Sequence, residues 1–170
     1  GIDLNADWKG FDFRAFFQGV MKRDYWQGSA YFWGATSLWH STGFVEHADY
    51  FRAEPSNDLP TNLDAYYPRP IFGSDKNKQT QSGYLQDASY IRLKNLQFGY
   101  TLPVSLTKKF AVSKLRIFVS GENLWTGTSL TKIFDPETIG GGDEYNGNAY
   151  PLSRTFSVGS VSYTHLRAHE

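Results

Sequence analysis

Apolar and polar residues alternate without a break at the start of the chain: Ile2, Leu4, Ala6 and Trp8 against Asp3, Asn5, Asp7 and Lys9. A period of two puts each set on its own side of an extended strand, which no helix does. Lys9-Gly10 predicts a tight turn. Phe11, Phe13, Ala15, Phe17 and Gly19 then resume the series against Asp12, Arg14, Phe16, Gln18 and Val20, so the two runs are expected to form a hairpin. Phe16 and Val20 interrupt the polar side, which is clean only over its first half.

From Asp24 to Asp87 the pattern dissolves into a stretch rich in Gly, Pro, Asn and Ser that still carries Trp26, Tyr31, Phe32, Trp33, Trp39, Tyr66 and Tyr67. A solvated linker would not hold that many rings, so a packed functional loop is expected, with one short helix near Ser29 to Trp39. Order returns over residues 89–102, where the alternation changes phase. Ile91 and Leu93 fall in one series with Asn95 and Gln97, while Arg92 and Lys94 fall in the other with Leu96, Phe98 and Tyr100. Either the surroundings change from water to something apolar midway, or a bulge near Lys94 resets the phase. A polar connection, Ser105 to Ser113, leads to a strand through Leu115, Ile117, Val119 and Gly121. A second Gly-rich, acidic loop covers Gly127 to Tyr150, and Arg154, Phe156 and Val158 mark a last strand.

The expected architecture is therefore all-β: about five antiparallel strands joined alternately by short turns and long loops. That asymmetry is characteristic of outer-membrane barrels, and an ordinary sandwich has no reason for it. The chain lacks a tandem repeat, which removes propellers and solenoids. Aromatic residues make up 17% of the 170 residues while the whole AVILMFWYC set reaches only 40%, so bulk comes from rings. Seventeen Lys+Arg balance 17 Asp+Glu, which argues against a nucleic-acid partner and a polybasic membrane-surface protein. No run of 18 apolar residues is present, so a transmembrane helix is not expected; alternating strands average out and escape that test. With no Cys there is no disulfide framework and no thiolate ligand. The opening residues hold neither Met nor a signal sequence, and the chain reads as part of a longer polypeptide.

Three stretches carry a family resemblance: GYLQDASYIRLKNLQFGYTLP over residues 83–103, LRIFVSGENLW over 115–125, and YPLSRTFSVG over 150–159. They resemble the C-terminal end of SusC/RagA-family TonB-dependent outer-membrane receptors, and the match extends upstream through residues 1–20 and Tyr66-Tyr67-Pro68-Arg69-Pro70. The resemblance implies the last strands, residues 1–159, of a large plugged barrel of roughly 22 strands. Such a barrel sits in the outer membrane of a Gram-negative bacterium and imports bulky nutrients such as glycans or peptides. It is energised by the TonB complex through N-terminal parts outside this sequence and closed by a SusD-like lipoprotein lid. It implies no cofactor and no catalysis. Residues 160–170 depart from the family pattern. VSYTHLRAHE over 161–170 is what one frame of a common sequencing adapter encodes, so this end is read as a non-native tail whose His165 and His169 carry no biology.

Candidate chemistry is thin. His165 and His169 have helical ligand spacing but no third ligand, and His40 and His47 lie in the long loop without a recognisable nucleophile. Asp135, Glu137, Asp143 and Glu144 offer oxygen ligands for Ca²⁺ or a glycosidase pair, in neither case at a recognised spacing; solvated loop charges are the plainer account. No catalytic residue and no metal site is therefore assigned. Phe98, Tyr100, Phe118 and Phe156 are expected to face lipid or form an aromatic girdle. Trp26, Tyr31, Phe32, Trp33, Trp39, Tyr66 and Tyr67 are candidates for substrate or lid contact, against the simpler possibility that they pack the loop on itself. The alternative from another class is a secreted carbohydrate-binding β-sandwich with Trp33 and Trp39 in a sugar platform.

Overall fold

A computed structural model describes residues 1–34, 43–140 and 149–164. They fall into two compact units. The first contains residues 1–21, 90–128 and 152–164 and is built on one antiparallel sheet. Its strands are β1 (Ile2–Trp8), β2 (Phe11–Val20), β5 (Tyr90–Thr101), β6 (Lys114–Thr128) and β7 (Thr155–Tyr163), in the order β1-β2-β5-β6-β7. The second, residues 22–89 and 129–151, holds a two-stranded sheet of β3 (Asp24–Trp26) and β4 (Leu85–Asp87) and a one-turn helix, α1 (Ala30–Trp33).

Local chemistry explains the joints of the large sheet. Lys9 and Gly10 both take positive φ, 47° and 88°, the signature of the two-residue turn whose twist matches that of its strands. The Gly10 carbonyl then accepts the Thr101 N–H at 2.7 Å, tying this turn to the end of β5. Between β5 and β6 lies a short helical turn, α2 (Val104–Thr107), and a following 3₁₀ turn that ends at Ala111 in the left-handed conformation. At Lys94 β5 carries one extra residue: Phe16 pairs with Asn95, but Phe17 pairs with Leu93. This bulge accounts for the phase change in the sequence. Once it is allowed for, Ile91 and Leu93 stand on the same side as Leu96, Phe98 and Tyr100. A left-handed Asn123 marks the matching irregularity in β6.

Because β6 recovers its register beyond Asn123, it runs to Thr128, past the Gly127 at which the second loop was expected to begin. Strand β7 likewise continues through residues 160–163, opposite Lys114 to Ile117. The helix expected from Ser29 to Trp39 is described only over Ala30–Trp33, and Trp39 lies outside the described residues. Strands β3 and β4 fall inside a stretch that shows no sequence periodicity.

The second unit supplies its own core. Phe32, Trp33, Tyr67, Ala88, Leu130, Phe134 and Ile139 are buried together, drawn from both of its chain segments. The Arg23 guanidinium ties them, donating to the carbonyls of Pro136 at 3.1 Å and Ile139 at 2.8 Å.

Candidate functional site

The register sorts the large sheet into two unlike faces. One carries Ile2, Leu4, Trp8, Phe11, Phe13, Leu96, Phe98, Tyr100, Ile117, Val119, Phe156 and Val158. Most of these stay exposed, Trp8 at 66% and Val158 at 80%. A continuous apolar face of this size on a water-soluble domain would be covered. Strands β2, β5, β6 and β7 have 10, 12, 15 and 9 residues, enough for a tilted strand to cross a hydrocarbon layer.

The opposite face carries Asp3, Asn5, Asp7, Asp12, Arg14, Asn95, Gln97, Thr101, Arg116, Ser120, Glu122 and Ser157. Arg14 grips Asp3 with two hydrogen bonds, at 3.1 and 2.7 Å. Arg116 reaches Asp12 in the same forked manner, its Nε donating at 2.8 Å, although β6 and β2 are not neighbours. The pair passes directly over β5 at Gly99, where an added Cβ would stand 2.5 Å from both partners. The glycine is what lets two strands on either side of a third be joined by charge.

Of the four residues expected to face lipid, Phe98, Tyr100 and Phe156 share the apolar face. Phe118 does not. It lies opposite Gly99 and Gly159 on the polar face, with the Arg116 guanidinium 5.0 Å from its ring centroid, so its grouping with the others is corrected. The reason is simple parity: Phe118 sits between Ile117 and Val119, whose side chains point the other way.

In the second unit the loop aromatics separate by burial. Phe32, Trp33 and Tyr67 are core residues: Phe32 and Trp33 pack edge-to-face with each other and with Tyr84, and Tyr67 lies tilted against Phe32. Trp26 and Tyr31 are half-buried against that core, and Tyr66 is exposed.

Tyr66 borders an open groove of about 550 Å³ lined also by Glu46, Asp49, Gln86, Asp87 and Thr131. Its hydroxyl accepts from the Gln86 amide at 3.2 Å, and Asp49 receives the Asn62 amide and the Tyr66 N–H. Burial, with Tyr66 beside it, pushes the Tyr67 phenol up to about 12. Hydrogen bonds from Ser89 hold the Asp87 carboxyl below its ordinary value. Glu46, Asp49, Gln86 and Asp87 escaped the sequence reading because nothing in their spacing marks a groove. Gly99 did leave a signal, as an isolated glycine inside a strand.

His47 has a structural role: its Nδ1 accepts the Phe44 N–H at 2.9 Å, and Nε2 lies 2.9 Å from the Phe32 carbonyl, to which it donates. Asp135 accepts the Glu137 N–H at 2.9 Å, closing an Asx turn. His40, His165, His169, Asp143 and Glu144 lie outside the described residues. Among the described residues no three His, Asp or Glu side chains gather as a metal site would need, and no helix is long and apolar enough to cross a membrane.

Comparison with known proteins agrees with the two-faced sheet. No family model matches the chain. TonB-dependent receptor P3 of Formosa agariphila is 40% identical over 109 residues, which cover 59% of this chain and 10% of that protein. TonB-dependent receptor P26 of the same organism is 27% identical over 171 residues, covering 94% of this chain and 16% of that protein. The solved structure of the RagAB peptide transporter matches with a TM-score of 0.63 and 26% identity over 95% of this chain and 16% of the other. The chain is similar to TonB-dependent receptors over most of its length. Among solved structures its likeness is to the SusC/RagA kind, and it spans between a tenth and a sixth of the length of the relatives it matches.

Proposed function

We propose that residues 1–159 are a C-terminal piece of the wall of a TonB-dependent outer-membrane importer, with the apolar face toward lipid and the polar face toward the barrel interior. The observation that carries this is the sheet itself: five antiparallel strands, apolar and exposed on one side, ion-paired on the other, joined alternately by short and long connections. A β-sandwich needs a second sheet over the apolar face, and the first unit has none among its described residues. The cargo on this reading is a bulky nutrient, glycan or peptide; the name of the RagAB peptide transporter supports the latter. The partners are a SusD-like lipoprotein lid, the TonB complex through parts outside this sequence, and outer-membrane lipid. Passage on this reading is gated by energy and involves no covalent step.

Topology gives the test. In a cysteine-free full-length receptor, cysteine placed at Asn57, the tip of a tight turn in the long connection, should react with a membrane-impermeant maleimide on intact cells. Cysteine at Lys109, in the short connection, should react only after the outer membrane is opened. Reversed labelling would invert the orientation, and labelling of both on intact cells would remove the wall. Residues 160–170 remain proposed as a non-native tail, which sequencing the source locus across that end decides.

A further inference from the structure

We propose that the β5–β6 connection, with the neighbouring β1–β2 turn, is a docking rim for anionic glycerophospholipid headgroups; this rests on the reading of the sheet as a membrane wall. The connection exposes large apolar side chains where a solvated turn would carry polar ones: Val104 at 51%, Leu106 at 49% and Phe110 at 79%, while Thr107 is the residue turned inward. Lys108 and Lys109 stand among them, and residues 102–118 include no Asp or Glu. An open cleft of about 420 Å³ combines the apolar Val104, Ala111 and Val112 with Lys108 at its edge.

The arrangement continues onto the adjacent turn. The Gly10–Thr101 hydrogen bond holds Lys9 at the same end of the sheet, with its ammonium 5.0 Å from the Trp8 ring centroid. Phe11 and Tyr100, 4.5 Å apart, extend the apolar face up to it. A lysine stem lying on apolar surface with its charge at the edge is how cations meet the phosphate layer while the stem stays in hydrocarbon. A free phosphate would gain from the lysines but nothing from Val104, Leu106 or Phe110. A second copy of the chain would bring like charge to like charge. A phospholipid satisfies both sets, acyl chain in the cleft and phosphate beside Lys108.

The test uses the full-length receptor in vesicles of phosphatidylethanolamine and phosphatidylglycerol, each lipid in turn carrying a photoactivatable acyl chain, with crosslinks mapped by mass spectrometry. Phosphatidylglycerol should label residues 104–112 about fivefold more than phosphatidylethanolamine, the factor expected of a single lysine near an anionic surface. The Lys108→Gln, Lys109→Gln double variant should erase the preference while labelling of Phe98 and Phe156 persists. Equal labelling by both lipids, a preference that survives the double substitution, or its displacement by millimolar inorganic phosphate would overturn the proposal. So would strands that label beside a turn that does not, an outcome that leaves the wall standing. Loss of label at Phe98 and Phe156 as well would sink the wall and the rim together.

Discussion

The bond between Asp12 and Arg116 depends on a residue with no side chain. Gly99 sits beneath it, and even a methyl group there would stand 2.5 Å from the carboxylate and the guanidinium, so the pair must lift away or separate. Both side chains keep partial access to solvent, which limits the worth of the pair to that of a well-formed forked bridge. Gly99→Ala in the full-length receptor should therefore cost about 1 kcal/mol in a denaturant titration from vesicles, and the same change in an Asp12→Ala, Arg116→Ala background should cost little. Additive costs would show that the strand, and not the ion pair, needs the glycine. Tyr67 tests the other unit. Its phenol, raised to about 12 by burial, holds its proton between pH 10 and 12 in the folded state and releases it in the unfolded one. The folded state then binds more protons, so whatever Tyr67 contributes is intact below pH 10 and is lost as pH rises to 12. The alkaline difference spectrum between the receptor and its Tyr67→Phe variant should show one phenol ionising near pH 12; an ionisation near 10 would mean that the ring is not buried.

At the scale of the element, the strands were legible because each obeys one rule, alternation, over enough residues to be recognised. Strand β5 was half an exception. Its apolar positions trade phase at Lys94, and the sequence is equally consistent with a changing environment and a bulge; pairing with β2 decides for the bulge. Pairing of β6 with β5 separates Phe118 from Val119, which aromatic composition alone does not do. Neighbouring substitutions on β6 make the two faces measurable. Val119→Arg places a charge on the apolar face and should cost about 2–4 kcal/mol in folding into vesicles if it lies near the middle of the bilayer, whereas Ser120→Arg, on the polar face, should cost less than about 1 kcal/mol. Equal penalties would mean that neither face meets lipid. The elements that went unread, β3, β4 and the groove beside Tyr66, are short or irregular and are held by contacts far apart in sequence. Arg23, for instance, is bonded to carbonyls more than 110 residues away. No local pattern encodes such a contact.

At the scale of the whole molecule, the two units were legible to different degrees for one physical reason. A sheet that meets a featureless solvent on each face repeats its chemistry every second residue, so its sequence is a direct record of what surrounds it. The loop unit packs against itself, and a core residue such as Phe32 or Tyr67 is written in the same letters as an exposed one such as Tyr66; only burial tells them apart. The family resemblance supplies what pattern does not, a reason to propose lipid as the solvent outside. It also makes a demand on the edges. Among the described residues β1 and β7 are hydrogen-bonded on one side only, which in a barrel wall is correct, because further strands continue the sheet. Produced alone in detergent-free buffer, the 170-residue chain should therefore assemble through these edges and its apolar face, giving oligomers by light scattering that detergent micelles reduce. Lysine introduced at Leu4 on β1 and at Val158 on β7, both exposed on the apolar face, should lessen that assembly without abolishing the aromatic core of the loop unit, seen by near-ultraviolet circular dichroism. A carbohydrate-binding sandwich makes the contrary demand: a monomer that unfolds in one reversible transition without detergent. Finding that monomer would mean that the apolar face is covered by the chain itself, and the wall would have to be given up.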